Sequence, residues 1–141
     1  MENNAFTETY RVDKGSFDTA GEASSKIKRL LKNVGVPPEI IRDVAIAAYE
    51  TELNLVIHSL GGELSLTITP EQVLLVSRDD GPGIPDLSLA LKEGFSTAPE
   101  SVRMMGFGAG MGLPNIKRHS HEFFIQSEMG KGTEIIAGYH L

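Results

Sequence analysis

The chain has 141 residues, a formal charge of -6 and no cysteine. That length suits one compact domain with a real core, assigned to residues 1–141, and leaves no room for two. The acidic balance, without any Lys/Arg run, argues against a nucleic-acid groove or an anionic membrane surface as the main partner, and the lack of thiols excludes disulfides and thiolate zinc sites and suits a reducing cytosol.

Met1-Glu2-Asn3-Asn4 has neither a basic stretch nor an apolar one, so no signal peptide is expected, and no apolar run approaches the roughly 20 residues of a membrane span. Phe6 to Val12 alternates apolar and polar residues as a strand does, and Asp13-Lys14-Gly15-Ser16 closes it with turn chemistry. Ala23, Ile27, Leu30 and Leu31 give Ala20 to Val34 a helical period, with Gly35 as its stop. Pro37 and Pro38 open a second helix, where a missing N–H costs nothing, and Gly61-Gly62 ends it near Leu60. Leu64 to Thr69 and Val73 to Ser77 form a hairpin around Pro70-Glu71-Gln72. A short helix is expected over Leu87 to Lys92 and a mobile loop over Gly94 to Gly110. Met111 to His119 reads as a helix, and Phe123 to Ser127 with Thr133 to Tyr139 as a closing hairpin through Met129-Gly130-Lys131-Gly132. Helices grouped against an antiparallel sheet predict a two-layer α/β sandwich.

The second helix is apolar on two sides. Ile40, Ile41, Val44, Ala45, Ala48, Leu55 and Val56 form one arc, and Ile46, Leu53 and Ile57 another, so the helix is expected to be sandwiched. Glu50 and Asn54 lie four apart on a polar stripe between the arcs, with Ala47 and Thr51 close to it. A carboxylate and an amide projecting together can activate a hydroxyl and hold a hydrated Mg²⁺, which prefers oxygen ligands. A solvated helix face is the plain alternative. Glu52 sits about 200° round the helix from Glu50 and cannot serve the same site.

Two glycine clusters follow. In Arg78-Asp79-Asp80-Gly81-Pro82-Gly83 the carboxylates emerge at a strand end, and Gly81 and Gly83 remove Cβ atoms where a flat ligand can lie on backbone. A buried Asp79 carboxylate can accept from an exocyclic amine such as adenine N6, which selects adenine over guanine. An ordinary Asp-Gly and Pro-Gly turn is the competing reading. In the second cluster Gly106, Gly108, Gly110 and Gly112 alternate before a helix, so backbone N–H groups and a helix start would face an anion. The alternative is a lid without ligand. The Walker pattern G-x-x-x-x-G-K-S/T is absent, and no parallel βαβ unit surrounds the glycines as a dinucleotide fingerprint requires. His58, His119, His121 and His140 show no H-E-x-x-H spacing.

Glu50-x-x-x-Asn54, Asp79-x-Gly81-x-Gly83, Gly108-x-Gly110-x-Gly112-Leu113 and Gly130-Lys131-Gly132-Thr133 resemble, in order and spacing, the N, G1, G2 and G3 boxes of the GHKL superfamily. The resemblance spans essentially the whole chain. It is nearest to the small bacterial serine kinases that act as anti-sigma factors or switch kinases, the RsbT/RsbW type, through Asp79 to Asp86, Glu93-Gly94-Phe95-Ser96-Thr97, Leu113-Pro114-x-Ile116-Lys117-Arg118 and Ile125-Gln126-Ser127-Glu128. This resemblance implies the Bergerat fold: a mixed, mostly antiparallel sheet covered on one face by helices.

It also implies ATP and Mg²⁺ as cofactors. Glu50 would be the general base on an acceptor serine or threonine, and Asn54 the Mg²⁺ ligand. Asp79 would read adenine N6, with the Thr133 hydroxyl supporting that contact through water. Gly81 and Gly83 would line the adenine pocket, Gly108, Gly110 and Gly112 would wrap the phosphates, and Leu113 would also belong to the cofactor-binding set. Lys92 and Arg103 are basic residues near the lid with no role assigned. The implied partner is a STAS-domain antagonist or stressosome scaffold, with a sigma factor or a PP2C-type phosphatase as further partners. Homodimerisation, common among anti-sigma members, is carried over as an expectation, as is a cytoplasmic location. The implied activity is a serine/threonine protein kinase that regulates stress signalling by partner switching. A catalytically silent, nucleotide-gated binding module and a stand-alone histidine-kinase-like domain are the competing readings. Two departures from the pattern stand out: Thr51-Glu52-Leu53 replaces the usual small or basic filler, and Ala98 to Met105 lengthens the lid.

Overall fold

A computed structural model of the chain describes residues 5–84, 91 and 112–141. Strand β1 (Phe6–Val12) is followed by a 3₁₀ turn over Phe17–Thr19, helix α1 (Glu22–Asn33) and helix α2 (Pro38–His58). Strands β2 (Gly62–Ile68) and β3 (Gln72–Asp79) come next, then a short helix α3 (Gly112–Arg118) and strands β4 (Glu122–Glu128) and β5 (Gly132–His140). Of the expected helix over Leu87 to Lys92 only Leu91 is described, in a turn; the loop Gly94 to Gly110, Lys92, Arg103 and the lid extension Ala98 to Met105 lie outside the described residues.

The five strands pair in the order β1-β2-β3-β5-β4, and every described pairing is antiparallel. Both expected hairpins form, and the link between them is β3 beside β5 rather than β4. Side chains alternate across the pleat, so Leu64, Leu66, Val73, Leu75, Ile135, Ala137 and Tyr139 all point to one face and are buried there. The opposite face carries hydroxyl pairs, Thr7 with Thr67 and Thr9 with Ser65, each at 3.0 Å. The open face is therefore mixed: hydroxyl-rich at β1 and β2, and apolar where Leu74, Val76, Ile136 and Phe124 lie side by side.

Helix α2 occupies the centre of the covering layer, with α1 on one flank, α3 on the other and the sheet beneath. This position explains why its sequence is apolar around most of its circumference. Val44, Ala48, Leu55 and Val56 are buried as the first arc predicts, and Leu53 is buried from the second. Ile40, Ala45, Ile46 and Ile57 are only half-buried. Ala47 and Thr51 go deeper than their place beside the polar stripe suggests: both are buried, and the Thr51 hydroxyl satisfies itself on the Ala47 carbonyl at 2.6 Å.

Helix α1 starts two residues later than the periodicity indicates, at Glu22, after Gly21 in the left-handed region, and has no side-chain cap of its own. Its orphan N–H groups are met from α2. Glu52, only 3% exposed, accepts from the Ala23 N–H at 3.2 Å and the Ser24 N–H at 3.0 Å. A carboxylate at a helix N-terminus satisfies donors and opposes the helix dipole, effects worth about 0.5–2 kcal/mol. The unusual filler between Glu50 and Asn54 is therefore structural: Thr51 packs and Glu52 caps.

Candidate nucleotide site

Asp79, Gly81, Gly83 and Thr133 meet at one end of the sheet, where β3 ends and β5 begins. Strand β3 runs to Asp79, two residues beyond its expected end, and pairs Asp79 with Gly62 at the start of β2. On its other side β3 meets the beginning of β5, with Arg78 opposite Glu134. The Arg78 and Glu134 side chains form an ion pair there. Asp79 thus stands beside Thr133, and the sheet determines where its carboxylate sits.

One oxygen of that carboxylate is fully engaged. Asp79 Oδ1 accepts from the Gly81 N–H at 2.9 Å and from the Thr133 N–H at 3.1 Å. Among the described residues Oδ2 has no hydrogen-bond partner, so it is the oxygen that can receive a donor from a ligand. Burial pushes the Asp79 pKa up; the two N–H groups oppose this and the Asp80 charge adds to it. An acceptor held rigidly by two backbone donors, with its second oxygen open, fits the exocyclic amine of adenine.

The Thr133 hydroxyl is committed to Ser127 at 2.8 Å, and the Ser127 hydroxyl also accepts from the Ile84 N–H at 2.7 Å. These contacts join β4, β5 and the end of the first glycine cluster. Gly130 N–H donates to the Pro82 carbonyl at 2.9 Å and Leu60 N–H to the Gly81 carbonyl at 2.9 Å, so the cluster is also tied to the β4–β5 turn and to the end of α2.

The glycines divide in what they require. At Gly81 (φ +133°) a Cβ would meet, among the described residues, only Leu60, at 3.9 Å, so backbone conformation is the constraint and the described residues leave space on that side. At Gly83 a Cβ would fall 2.7 Å from the Glu128 carbonyl oxygen, so this glycine serves close packing against the β4–β5 turn. Gly132 (φ +124°) is the most confined: a Cβ there would lie 2.1 Å from the Asp79 carbonyl oxygen and 2.9 Å from its Oδ1.

Glu50 and Asn54 lie one turn apart on α2, both half-buried. Burial pushes the Glu50 pKa above the ordinary glutamate value, while a side-chain hydrogen bond from Asn115 of α3 pulls it down. Asn115 also accepts from Arg118 Nη1 at 3.3 Å. At the far end of α3, His119 Nδ1 and Asp43 Oδ1 are 3.1 Å apart, a second tie to α2. Gly112 opens α3, and Leu113 is buried in the hydrophobic core. Gly108 and Gly110 lie outside the described residues, and the side chain of His58 is likewise not described.

Four contributors have no role in the motif reading. Asn115 lies between Pro114 and Ile116, Ser127 within Ile125-Gln126-Ser127-Glu128, Gly132 within Gly130-Lys131-Gly132-Thr133, and Glu52 between Glu50 and Asn54. For Gly132 a local signal exists, since alternating glycines at a strand start mark close backbone approach. The other three act on partners distant in sequence.

Residues 35–140 match the family described as histidine kinase-, DNA gyrase B-, and HSP90-like ATPase. The chain is 32% identical over 98 residues to the serine/threonine-protein kinase RsbT of Bacillus subtilis (strain 168), covering 67% of this chain and 68% of that one. It is 29% identical over 107 residues to the anti-sigma F factor of Geobacillus kaustophilus (strain HTA426), covering 72% of this chain and 70% of that one. To the anti-sigma F factor of Geobacillus thermodenitrificans (strain NG80-2) it is 27% identical over 140 residues, 99% of this chain and 86% of the relative. The chain belongs to this ATPase family, and its antiparallel sheet with helices on one face is the family's Bergerat fold.

Proposed function

We propose that this member of the ATPase family is a serine/threonine protein kinase of the partner-switching, anti-sigma type, transferring phosphate from ATP to a STAS-domain antagonist or scaffold. The observation that carries the reading is the Asp79 carboxylate, held by two backbone N–H groups with its second oxygen unpartnered among the described residues.

In this reading Asp79 Oδ2 accepts from adenine N6, and the space beside Gly81 takes the base. Ser127 orders Thr133 and Ile84 and so keeps the adenine end of the site in shape. Asn54 would hold Mg²⁺ through its amide oxygen, and the ion would supply charge neutralisation at the phosphates. Gly108, Gly110 and Gly112 offer backbone N–H groups to the same phosphates. Glu50, ionised, accepts the proton of the acceptor hydroxyl as its oxygen bonds to the γ-phosphorus and the bond to ADP breaks. Asn115 holds the Glu50 carboxylate in orientation. Phosphoryl transfer asks little more of a protein than this positioning.

Incubation of the full chain with Mg-ATP and candidate STAS proteins tests the proposal. Acid-stable phosphoserine or phosphothreonine on the STAS protein is the expected result. Tight ATP binding with no phosphoprotein would leave a nucleotide-gated binding module instead, and an acid-labile adduct would point to histidine transfer. The filler at Thr51 and Glu52 gives the silent reading no support, since packing and capping account for it.

A further inference from the structure

Away from the nucleotide end, the outer surfaces of α1 and α2 enclose a groove of about 720 Å³. Its floor is a row four residues apart on α2, Ile41, Ala45 and Tyr49, with Ile46 beside it. The row spans eight residues, about 12 Å of helix, and Ala45 at its centre keeps the floor low. Tyr49 is 38% exposed and lies where α1 begins, beside Gly21. The rim is cationic. Lys28 and Lys32 stand one turn apart on α1, and Arg42 faces them from α2. Among the described residues no aspartate or glutamate lines the groove, and none of the three cations has a carboxylate within ion-pair distance. This concentration of positive charge runs against a net charge of -6 for the whole chain.

We infer that the α1–α2 groove is a docking surface for an acidic amphipathic helix of a protein partner. An apolar floor two turns long accepts an apolar stripe at i, i+4 spacing, the usual way a helix is read in a groove. Lysines one turn apart match carboxylates one turn apart on a facing helix, and Arg42 closes the other side. The floor gives contact area, and the rim selects the sign of the partner's charge and speeds encounter. Tyr49 immediately precedes Glu50, so a helix seated here lies along the element that carries the proposed base. The inference concerns binding and stands whether or not the chain transfers phosphate.

The test uses a synthetic helical peptide of about 14 residues with leucines at i, i+4 spacing flanked by glutamates, and its glutamine counterpart. Each is titrated into the ¹⁵N-labelled full chain at low and high salt. The glutamate peptide is expected to bind at least about tenfold more tightly at low salt, with an advantage that shrinks as salt screens the rim. Amide shifts should move at Lys28, Lys32, Ala45 and Tyr49. The double variant Lys28→Glu/Lys32→Glu, which changes only exposed side chains, should lose that advantage while keeping its affinity for ATP. Equal binding of the two peptides, shift changes elsewhere, or undiminished binding to the charge-reversed chain would overturn the inference. Occlusion of the groove by self-association, or preference for anionic vesicles over the peptide, would overturn it too by giving the face another occupant.

Discussion

The Thr133 N–H donates to Asp79 Oδ1 at 3.1 Å, joining residues 54 positions apart in the chain. With the Gly81 N–H on the same oxygen, it turns a strand-end aspartate into an oriented acceptor with one oxygen still available. The adenine specificity proposed for the site rests on this orientation.

Asp79→Asn tests it. The asparagine carbonyl can still accept from Gly81 and Thr133, so the fold should persist, but an amide NH₂ then faces the adenine amine. Loss of a hydrogen bond to a charged group amounts to about 1.5–3 kcal/mol, so ATP affinity should fall by about 10- to 150-fold. Calorimetry with ATP checks this, alongside a melting curve without nucleotide that should shift little.

Glu50→Gln separates activity from stability. Burial raises the folded-state pKa of Glu50 above its unfolded value, so the fold favours the protonated form. The stability this group contributes is fully present below the unfolded glutamate range and is lost as pH rises through the raised folded value. At neutral pH the glutamine variant should therefore melt higher than the parent, while transfer falls by about 10²- to 10⁴-fold as expected for loss of a general base.

The acid limb of the transfer rate should lie above the ordinary glutamate pKa of 4.5, since Glu50 must be ionised to accept a proton. Asn115→Ala removes the bond that favours the ionised form and should move that limb to still higher pH. A pH–rate profile with the limb unmoved would leave Asn115 a packing residue only.

Glu52→Ala should destabilise the chain by about 1–3 kcal/mol, because the buried N–H groups of Ala23 and Ser24 lose their acceptor. Chemical denaturation reads the loss. Folded protein should still bind ATP with parental affinity, in contrast to any substitution at Asp79.

Gly132→Ala should damage the site as well as the fold. A Cβ at 2.1 Å from the Asp79 carbonyl oxygen forces β3 and β5 apart, and φ of +124° adds strain of about 1–3 kcal/mol. Lower ATP affinity together with a lower melting temperature is the expected pair of outcomes.

The described elements are legible in the sequence because their signals are local. The alternation in β1, the period of α1, the prolines opening α2 and the glycines at the turns place the strands and α-helices to within two residues of their observed ends, whereas the 3₁₀ turn Phe17–Thr19 has no such signal. The Glu50 and Asn54 pair and the Asp79-x-Gly81-x-Gly83 and Gly130-Lys131-Gly132-Thr133 stretches stand out for the same reason, since each is a short pattern within one element or turn. Helix geometry turns Glu52 away from Glu50 but does not mark it as the cap of α1, because its partners lie 28 and 29 positions earlier.

By itself, then, the sequence determined the element types and the residue types brought to the site. Tertiary structure alone decided that β3 lies beside β5, that the Thr133 backbone holds Asp79 while its hydroxyl goes to Ser127, and that Asn115 reaches Glu50. The physical reason is one of range. Helix period and turn chemistry act over a few residues, whereas strand order and the donors it delivers depend on which apolar faces of the whole chain are buried together.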